Sequence, residues 1–301
     1  MPNLIVAPVG HYLDTDHPFP LSDYNWQLLA EGDSWFSLTS EQLDNHSLLP
    51  RLQFPSNAAA INCAEPGDIA GRMFTRNPRF KGLLQERWWA GILISASGND
   101  LIDVVGITPV DPATGRLRPL AQRILRTADE VAHSTDAYDY VSVDGFNALA
   151  GYLLWWFASL VDWCDGGNSR GRPIFIHTYS APVPRPAGVA LAPQGWLYPA
   201  LQAYAVPREL HRGVADIVFG KLRAFLLGLD TDAPSPYRLP SFHVFDSAAI
   251  HLDPADPDAT GPSGDWINEI HLTTAGADKL ALPFSLFIDK RFSRYAMPGV
   301  T

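Results

Sequence analysis

Cysteine is scarce in this sequence. Among its 301 residues only Cys63 and Cys164 are cysteines, and they stand far apart. Two distant cysteines form no disulfide framework and no CxxC metal or redox motif, so we expect both to be reduced and packed as small apolar groups. The nine histidines show no HxH or HExxH spacing. We therefore predict neither a metal site nor an organic cofactor.

Positive charge is also in short supply. The chain has 22 Lys and Arg residues against 32 Asp and Glu residues, which gives a formal net charge of −10. Its basic residues form no cluster along the sequence. Because phosphate contacts require clustered Lys and Arg side chains, the composition argues against nucleic acid and anionic membranes as partners.

Long apolar runs are missing as well. The most apolar stretch, residues 148–161, lies between Asp144 and Asp162 and is shorter than the roughly 20 residues that cross a bilayer. The first residues lack the basic start that is typical of a secretion signal. We therefore expect a cytoplasmic protein without stable membrane insertion, and the sequence leaves its oligomeric state open.

Short apolar runs alternate with helical patterns along the chain. The runs predict parallel strands at residues 26–31, 58–63, 91–96, 173–178 and 241–245. Helical spacing predicts helices at about residues 68–76, 120–133, 139–163 and 208–229. This alternation is typical of a doubly wound α/β sheet. No repeat or linker divides the sequence, so we predict a single domain over residues 1–301.

A Pro-rich segment, residues 180–206, interrupts the alternation after the fourth predicted strand. Because proline removes backbone donors, we expect no regular element in its first half. Ligands of doubly wound sheets bind outside the carboxyl ends of the strands, and the segment should lie over that edge. Trp196 and Tyr198, together with His177 at the end of the preceding strand, are therefore candidates for substrate contact.

Small and polar residues stand at or near the ends of three predicted strands and before a C-terminal helix. They are Ser34 in Gly-Asp-Ser, Gly67 in Gly-Asp, Asn99 in Gly-Asn-Asp and His271 in His-Leu-Thr. Each alone is an ordinary turn or helix-cap residue. Together they supply a nucleophile, a backbone N–H, an amide donor and a base, which are the parts that acyl transfer needs.

These four blocks resemble those of the SGNH, or GDSL, superfamily of esterases and lipases. The resemblance spans about residues 26–290 and implies a flavodoxin-like three-layer αβα sandwich with a five-stranded parallel sheet. It also implies Ser34 as nucleophile and His271 as base. The oxyanion hole would comprise the Ser34 and Gly67 N–H groups and the Asn99 amide. No cofactor is implied.

Two positions depart from the superfamily pattern. Ser97 replaces the first glycine of the third block, and Asn268 stands where an aspartate usually precedes the histidine. An asparagine carbonyl can orient an imidazole without offering a full charge. Three arrangements stay open from spacing alone: Asn268 orients His271, Asp265 or Glu269 reaches the ring, or a backbone carbonyl completes a dyad.

The sequence therefore predicts a serine esterase or lipase that cleaves a carboxylic ester through an acyl-enzyme. Its substrate could carry an acyl chain or a sugar. The alternative is a catalytically silent domain of the same type that binds an ester or glycan. A nucleotide-binding sheet is disfavoured, because the first strand lacks a G-x-G-x-x-G turn.

Overall fold

One parallel sheet organises the part of the chain that the computed structural model describes, residues 1–37, 47–190 and 192–295. The stretch that resembles the superfamily, about residues 26–290, includes ten positions, 38–46 and 191, that lie outside the described residues. The strands of this sheet are β1 (Ile5–Pro8), β2 (Trp26–Gly32), β3 (Ala58–Asn62), β4 (Gly91–Ser95), β5 (Ile174–His177) and β6 (Phe242–Phe245). Their order is β1-β3-β2-β4-β5-β6, with every neighbouring pair parallel.

The strand order confirms the predicted α/β class. Strands β2 to β6 coincide with the five predicted runs, and without β1 their order is the 2-1-3-4-5 of flavodoxin-like sheets. The sheet has one strand more than expected, because β1 pairs with β3 at the edge. This four-residue strand belongs to the apolar run of residues 4–9, but its Ile5 and Pro8 are exposed, as is typical of the edge of a sheet.

Nine α-helices surround the sheet within the described residues. They are α1 (Val9–Tyr12), α2 (Ser34–Ser37), α3 (Ala70–Arg76), α4 (Pro78–Glu86), α5 (Gly98–Val105), α6 (Val143–Gly166), α7 (Leu197–Ala203), α8 (His211–Leu227) and α9 (Thr274–Phe292).

Helices α6 and α9 cover opposite faces of the sheet. Phe157 of α6 contacts Phe242 of β6, whereas Phe284 of α9 stacks on Phe245 of the same strand. Residues 242 and 245 point to opposite sides of a strand, since side chains alternate with a period of two. The three-layer arrangement follows from these contacts.

Some predicted helices differ from the observed ones. Residues 120–133 form only short 3-10 turns, Leu120–Gln122 and Asp129–Val131, so the predicted helix is wrong. The chain is extended between the turns, where Leu125 pairs with Val141. Helix α9, the C-terminal helix after His271, has 19 residues with Pro283 inside it.

Both cysteines are buried and free. Among the described residues, no helix combines the length and the apolar character that crossing a bilayer requires. The cytoplasmic location and the single-domain organisation stay predictions.

Candidate active site

Ser34 lies at the carboxyl edge of the sheet, two residues after the end of β2. A side chain at Gly32 would meet the Cβ of Ser95 at 2.8 Å, so only glycine lets β2 and β4 end this close together. Helix α2 then begins at Ser34 itself, with Trp35 and Phe36 buried beneath the turn. The chain therefore presents the Ser34 hydroxyl on a turn anchored by two aromatic side chains.

His271 brings its ring to this hydroxyl from the far end of the chain. Its Nε2 atom lies 2.8 Å from the Oγ atom of Ser34. The histidine stands on the turn that leads into α9, where the Thr273 hydroxyl caps the helix by accepting the Gly276 N–H. A base and a hydroxyl are thus in direct hydrogen-bond contact.

Asn268 lies on the other side of the His271 ring. Its Oδ1 atom is 3.0 Å from the ring Nδ1 and also accepts the backbone N–H groups of Ile270 and His271, at 3.1 and 2.9 Å. Because backbone N–H groups only donate, the amide must turn its oxygen, and not its nitrogen, toward the ring. The ring then carries its proton on Nδ1, and Nε2 faces Ser34 with a free lone pair.

The two carboxylates that the sequence offered instead are engaged elsewhere. Asp265 accepts from Lys279 at 2.6 Å and from the Asp253 N–H at 2.6 Å. Glu269 accepts backbone N–H groups of the Pro-rich segment. Asn268 is therefore the side chain that orients the imidazole in this geometry.

Of the predicted oxyanion donors, Asn99 lines the cavity beside Ser34 and Gly67 does not. Asn99, at the start of α5, lines the same cavity as Ser34. Its side-chain amide donates to the Asp68 carbonyl at 3.0 Å and so ties α5 to the turn that contains Gly67. Gly67 has a φ of 74° and is not among the described residues that line this cavity. Its role as a donor stays a prediction.

The cavity beside Ser34 is small and has mostly apolar walls. These walls are formed by Trp35, Ile102, Pro182, Phe219, Trp266 and Ile270. A larger groove, which includes Arg212, Asp216, Arg223 and His251, shares four wall residues with the cavity, among them Ser180 and Phe219. A small apolar chamber thus adjoins a polar groove.

The three predicted substrate contacts have different positions. The Trp196 ring packs edge-on against the His271 ring at 5.6 Å, close to the site. Tyr198 does not face the site: its hydroxyl accepts from Arg208 at 3.1 Å and its ring lies against His211. The predicted contact by Tyr198 is therefore not supported.

His177 is a structural histidine and not a wall of the cavity. It is fully buried, its ring stacks on Trp35 at 5.4 Å, and its Nδ1 bonds to the Thr178 carbonyl at 2.8 Å. Burial lowers the pKa of His177 to about 4. Its side chain points into the sheet–α9 layer, where Phe284 covers it, and it is not among the residues that line the cavity beside Ser34.

A buried network behind Ser34 was not predicted. The Asp33 carboxyl accepts from the Ser95 hydroxyl at 2.7 Å, from the Tyr179 hydroxyl at 2.7 Å and from the Trp35 N–H at 3.0 Å. Burial raises the pKa of Asp33 to about 6. The network joins the ends of β2, β4 and β5, and the only sequence signal was that Ser95 and Tyr179 stand at strand ends.

A second buried carboxyl, that of Asp100, holds α5 to α3. It accepts the Ala70 N–H at 3.1 Å, and burial raises its pKa to about 7. Because Asn99 precedes it, this bond also fixes the position of the candidate oxyanion donor.

One group of possible metal ligands lies within the described chain, outside the site. Asp230, Asp232 and His243 have ligand atoms within 4.8 Å of one another. The carboxylates are already used, since Asp232 pairs with Arg294 at 2.6 Å and Asp230 accepts the Val244 N–H at 2.8 Å.

The structure belongs to the class of doubly wound α/β proteins. At the carboxyl edge of its sheet, the side chains of a serine, a histidine and an asparagine lie in hydrogen-bond contact one after the other. No protein-family model and no curated protein sequence matches the chain. Solved structures do. The chain is similar to phospholipase A1 from Streptomyces albidoflavus NA297, with 14% identity and a TM-score of 0.45, over 86% of this chain and 97% of that one.

Two further solved structures are similar in the same way. An extracellular lipase from Streptomyces rimosus has 13% identity and a TM-score of 0.47, over 86% of this chain and 97% of that one. A member of the lipolytic G-D-S-L family from Veillonella parvula DSM 2008 has 10% identity and a TM-score of 0.43, over 88% and 99%. The chemistry of the site rests on its geometry and not on these similarities.

Proposed function

We propose that this protein is a serine hydrolase that cleaves carboxylic esters through an acyl-enzyme. The observation that carries the proposal is the 2.8 Å contact between His271 Nε2 and Ser34 Oγ, continued at 3.0 Å to the Asn268 carbonyl. A hydroxyl with a correctly protonated imidazole on one side has the arrangement of an activated nucleophile.

The reaction would proceed in two halves. His271 Nε2 takes the Ser34 proton as Oγ attacks the ester carbonyl, and the resulting imidazolium then protonates the leaving alcohol. In the second half a water gives its proton to His271, attacks the acyl carbon and releases the acid, and Ser34 regains its proton. Donors at the oxyanion, the Ser34 N–H and the Asn99 amide first among them, would each supply about 3 kcal/mol.

The walls of the cavity favour a short acyl group. Trp35, Ile102 and Phe219 narrow the space next to Ser34. The adjoining groove, with Arg212 and Asp216, offers charged and polar groups to the other half of the ester. We therefore propose small acyl esters of polar alcohols as the preferred substrates.

The test uses p-nitrophenyl acetate and a fluorophosphonate probe. Ser34→Ala should abolish both turnover and labelling and leave the circular dichroism spectrum unchanged. Ser159→Ala, which loses only a hydroxyl bonded to the Trp155 carbonyl on α6, is the matched control and should behave as wild type. Retained hydrolysis in Ser34→Ala contradicts the assignment. A wild-type protein that neither turns over nor reacts would be the silent ester-binding domain instead.

A further inference from the structure

Two fully buried charged residues lie next to the candidate site, outside its serine–histidine–asparagine chain. Arg185 is 0% exposed and belongs to the Pro-rich segment, whereas Glu269 is 1% exposed and stands between Asn268 and His271. Buried charges are costly unless every polar atom finds a partner. These two form no direct ion pair within the described part of the chain, so their partners must lie elsewhere.

Arg185 reaches from the Pro-rich segment to the backbone around the histidine turn. Its Nη1 donates to the carbonyls of Ala259 and Gly261, at 2.8 and 2.6 Å. Its Nη2 donates to the Asn268 carbonyl at 2.8 Å. The guanidinium therefore holds the main chain of the residue whose side chain orients the imidazole.

Glu269 makes the reverse connection. Its Oε1 accepts the N–H groups of Arg185 and Tyr198, at 3.1 and 2.8 Å. Its Oε2 accepts the N–H groups of Trp196 and Leu197. A carboxylate from the histidine turn thus holds the backbone of the Pro-rich segment.

Gly195 shows how closely the two parts fit. It has a φ of 81°, and a Cβ at this position would lie 2.6 Å from Glu269 Oε2. Trp196 follows directly, and its ring packs against the His271 ring at 5.6 Å. The contacts of Glu269 therefore also set the position of the aromatic wall of the imidazole.

We propose that Arg185 and Glu269 are positioning residues, each bound to the other's segment, that together hold Asn268 and Trp196 against the His271 ring. Neither touches the reacting atoms. This inference rests on the proposed function, and it makes the Pro-rich segment a fixed part of the catalytic apparatus.

The experiment compares Glu269→Gln and Arg185→Lys with wild type. Gln keeps the size of Glu but replaces one acceptor oxygen by a donor that faces N–H groups. Lys keeps the charge of Arg but cannot reach several carbonyls at once. The matched control is Arg208→Lys, because Arg208 also links α7 to the loop before the histidine turn, through Tyr198 and Asp258, but is exposed.

Five quantities are measured: kcat and KM for p-nitrophenyl acetate, the rate of fluorophosphonate labelling, the acidic limb of the kcat/KM profile, and the imidazole ¹⁵N shifts of His271. We expect kcat and the labelling rate to fall together by about 10- to 100-fold, because a displacement of about 1 Å in a catalytic group has an effect of this size. KM should change less than about threefold, since substrate contacts remain. The acidic limb should move, and the ¹⁵N shifts should show a mixture of tautomers.

Other outcomes separate the two proposals. Variants that lose thermal stability but keep the wild-type kcat, labelling rate and ¹⁵N shifts would overturn the positioning role and leave the esterase proposal intact. A wild-type protein that neither turns over nor labels would refute the esterase proposal, and the ¹⁵N shifts would still report whether Glu269→Gln frees the ring.

If Glu269→Gln does not fold, Gly195→Ala replaces it, because its Cβ presses on the same carboxylate with both charges retained. Wild-type kcat in that variant would likewise count against the inference.

Discussion

Asn268 contacts the His271 ring through a neutral carbonyl, and this allows a quantitative prediction of the rate and pH profile of Asn268→Asp. The change puts a negative charge where Oδ1 now accepts the ring Nδ1 proton at 3.0 Å. The two backbone N–H groups that hold Oδ1 can hold a carboxylate oxygen equally well. The substitution therefore adds charge with little change in geometry.

Its magnitude follows from Coulomb attraction and burial. An imidazolium and a carboxylate about 4 Å apart attract by about 4 kcal/mol at an effective dielectric constant near 20. Position 268 is only 3% exposed, so desolvation of the new carboxylate removes a large part of this energy. A net effect of about 1.4 to 2.7 kcal/mol remains, equivalent to about 10- to 100-fold in rate.

The assay is the pH profile of kcat/KM for p-nitrophenyl acetate. We expect Asn268→Asp to move the acidic limb upward by about one to two pH units, because a nearby negative charge favours the protonated ring. The plateau above that limb should rise. Asn268→Ala should lower it by about 10³-fold or more, since the ring loses its orienting acceptor.

Asn57→Asp is the charge control. Asn57 is exposed and precedes β3 at the opposite, amino end of the strands, so its profile should coincide with that of wild type. An acidic limb in Asn268→Asp that stays at the wild-type pH would refute the reasoning that Asn268 is the partner of the ring.

Three further predictions concern the cavity and its supports. Ile102→Ala should widen the cavity and raise the kcat/KM ratio of p-nitrophenyl octanoate to acetate about tenfold; an unchanged ratio would mean that Ile102 does not limit the acyl group. Tyr179→Phe removes the hydroxyl that Asp33 accepts at 2.7 Å and should lower kcat about tenfold, with KM nearly constant; a KM effect alone would contradict this. Burial raises the folded-state pKa of Asp100 to about 7, so this carboxyl weakens folding as pH rises, and urea unfolding should show Asp100→Asn gaining up to about 3 kcal/mol over wild type between pH 5 and 8. A gain that does not depend on pH would contradict the burial argument.

The strands and the site residues at their ends were predictable because both are local signals. A short apolar run with glycine behind it, as at Gly32, requires no knowledge of distant contacts. Strand β1 was missed because its apolar run is short and contains Pro8, and a proline within such a run argues against a strand or for one at the edge of a sheet. The predicted helix over residues 120–133 failed because Leu125 pairs with Val141, outside the segment, which keeps the chain extended there.

The sequence limited the candidates for the partner of the His271 ring to a few residues, but it could not decide between them. Asn268, Asp265 and Glu269 are all close enough to His271 in the sequence to contact its ring. Only the folded structure shows that the Asp265 carboxylate binds Lys279 instead. The Asp33 network had no motif, because Ser95 and Tyr179 are far apart in the sequence and meet only through the sheet.

The bonds between the Pro-rich segment and the histidine turn bear on how this protein would respond to aggregated substrate. A cover that must move before the substrate can react makes the rate depend on whatever drives that motion. Here the segment over the sheet edge is fastened through the buried Arg185 and Glu269. Hydrolysis should therefore follow simple saturation in monomeric substrate, with no lag and no rise in rate at the critical micelle concentration.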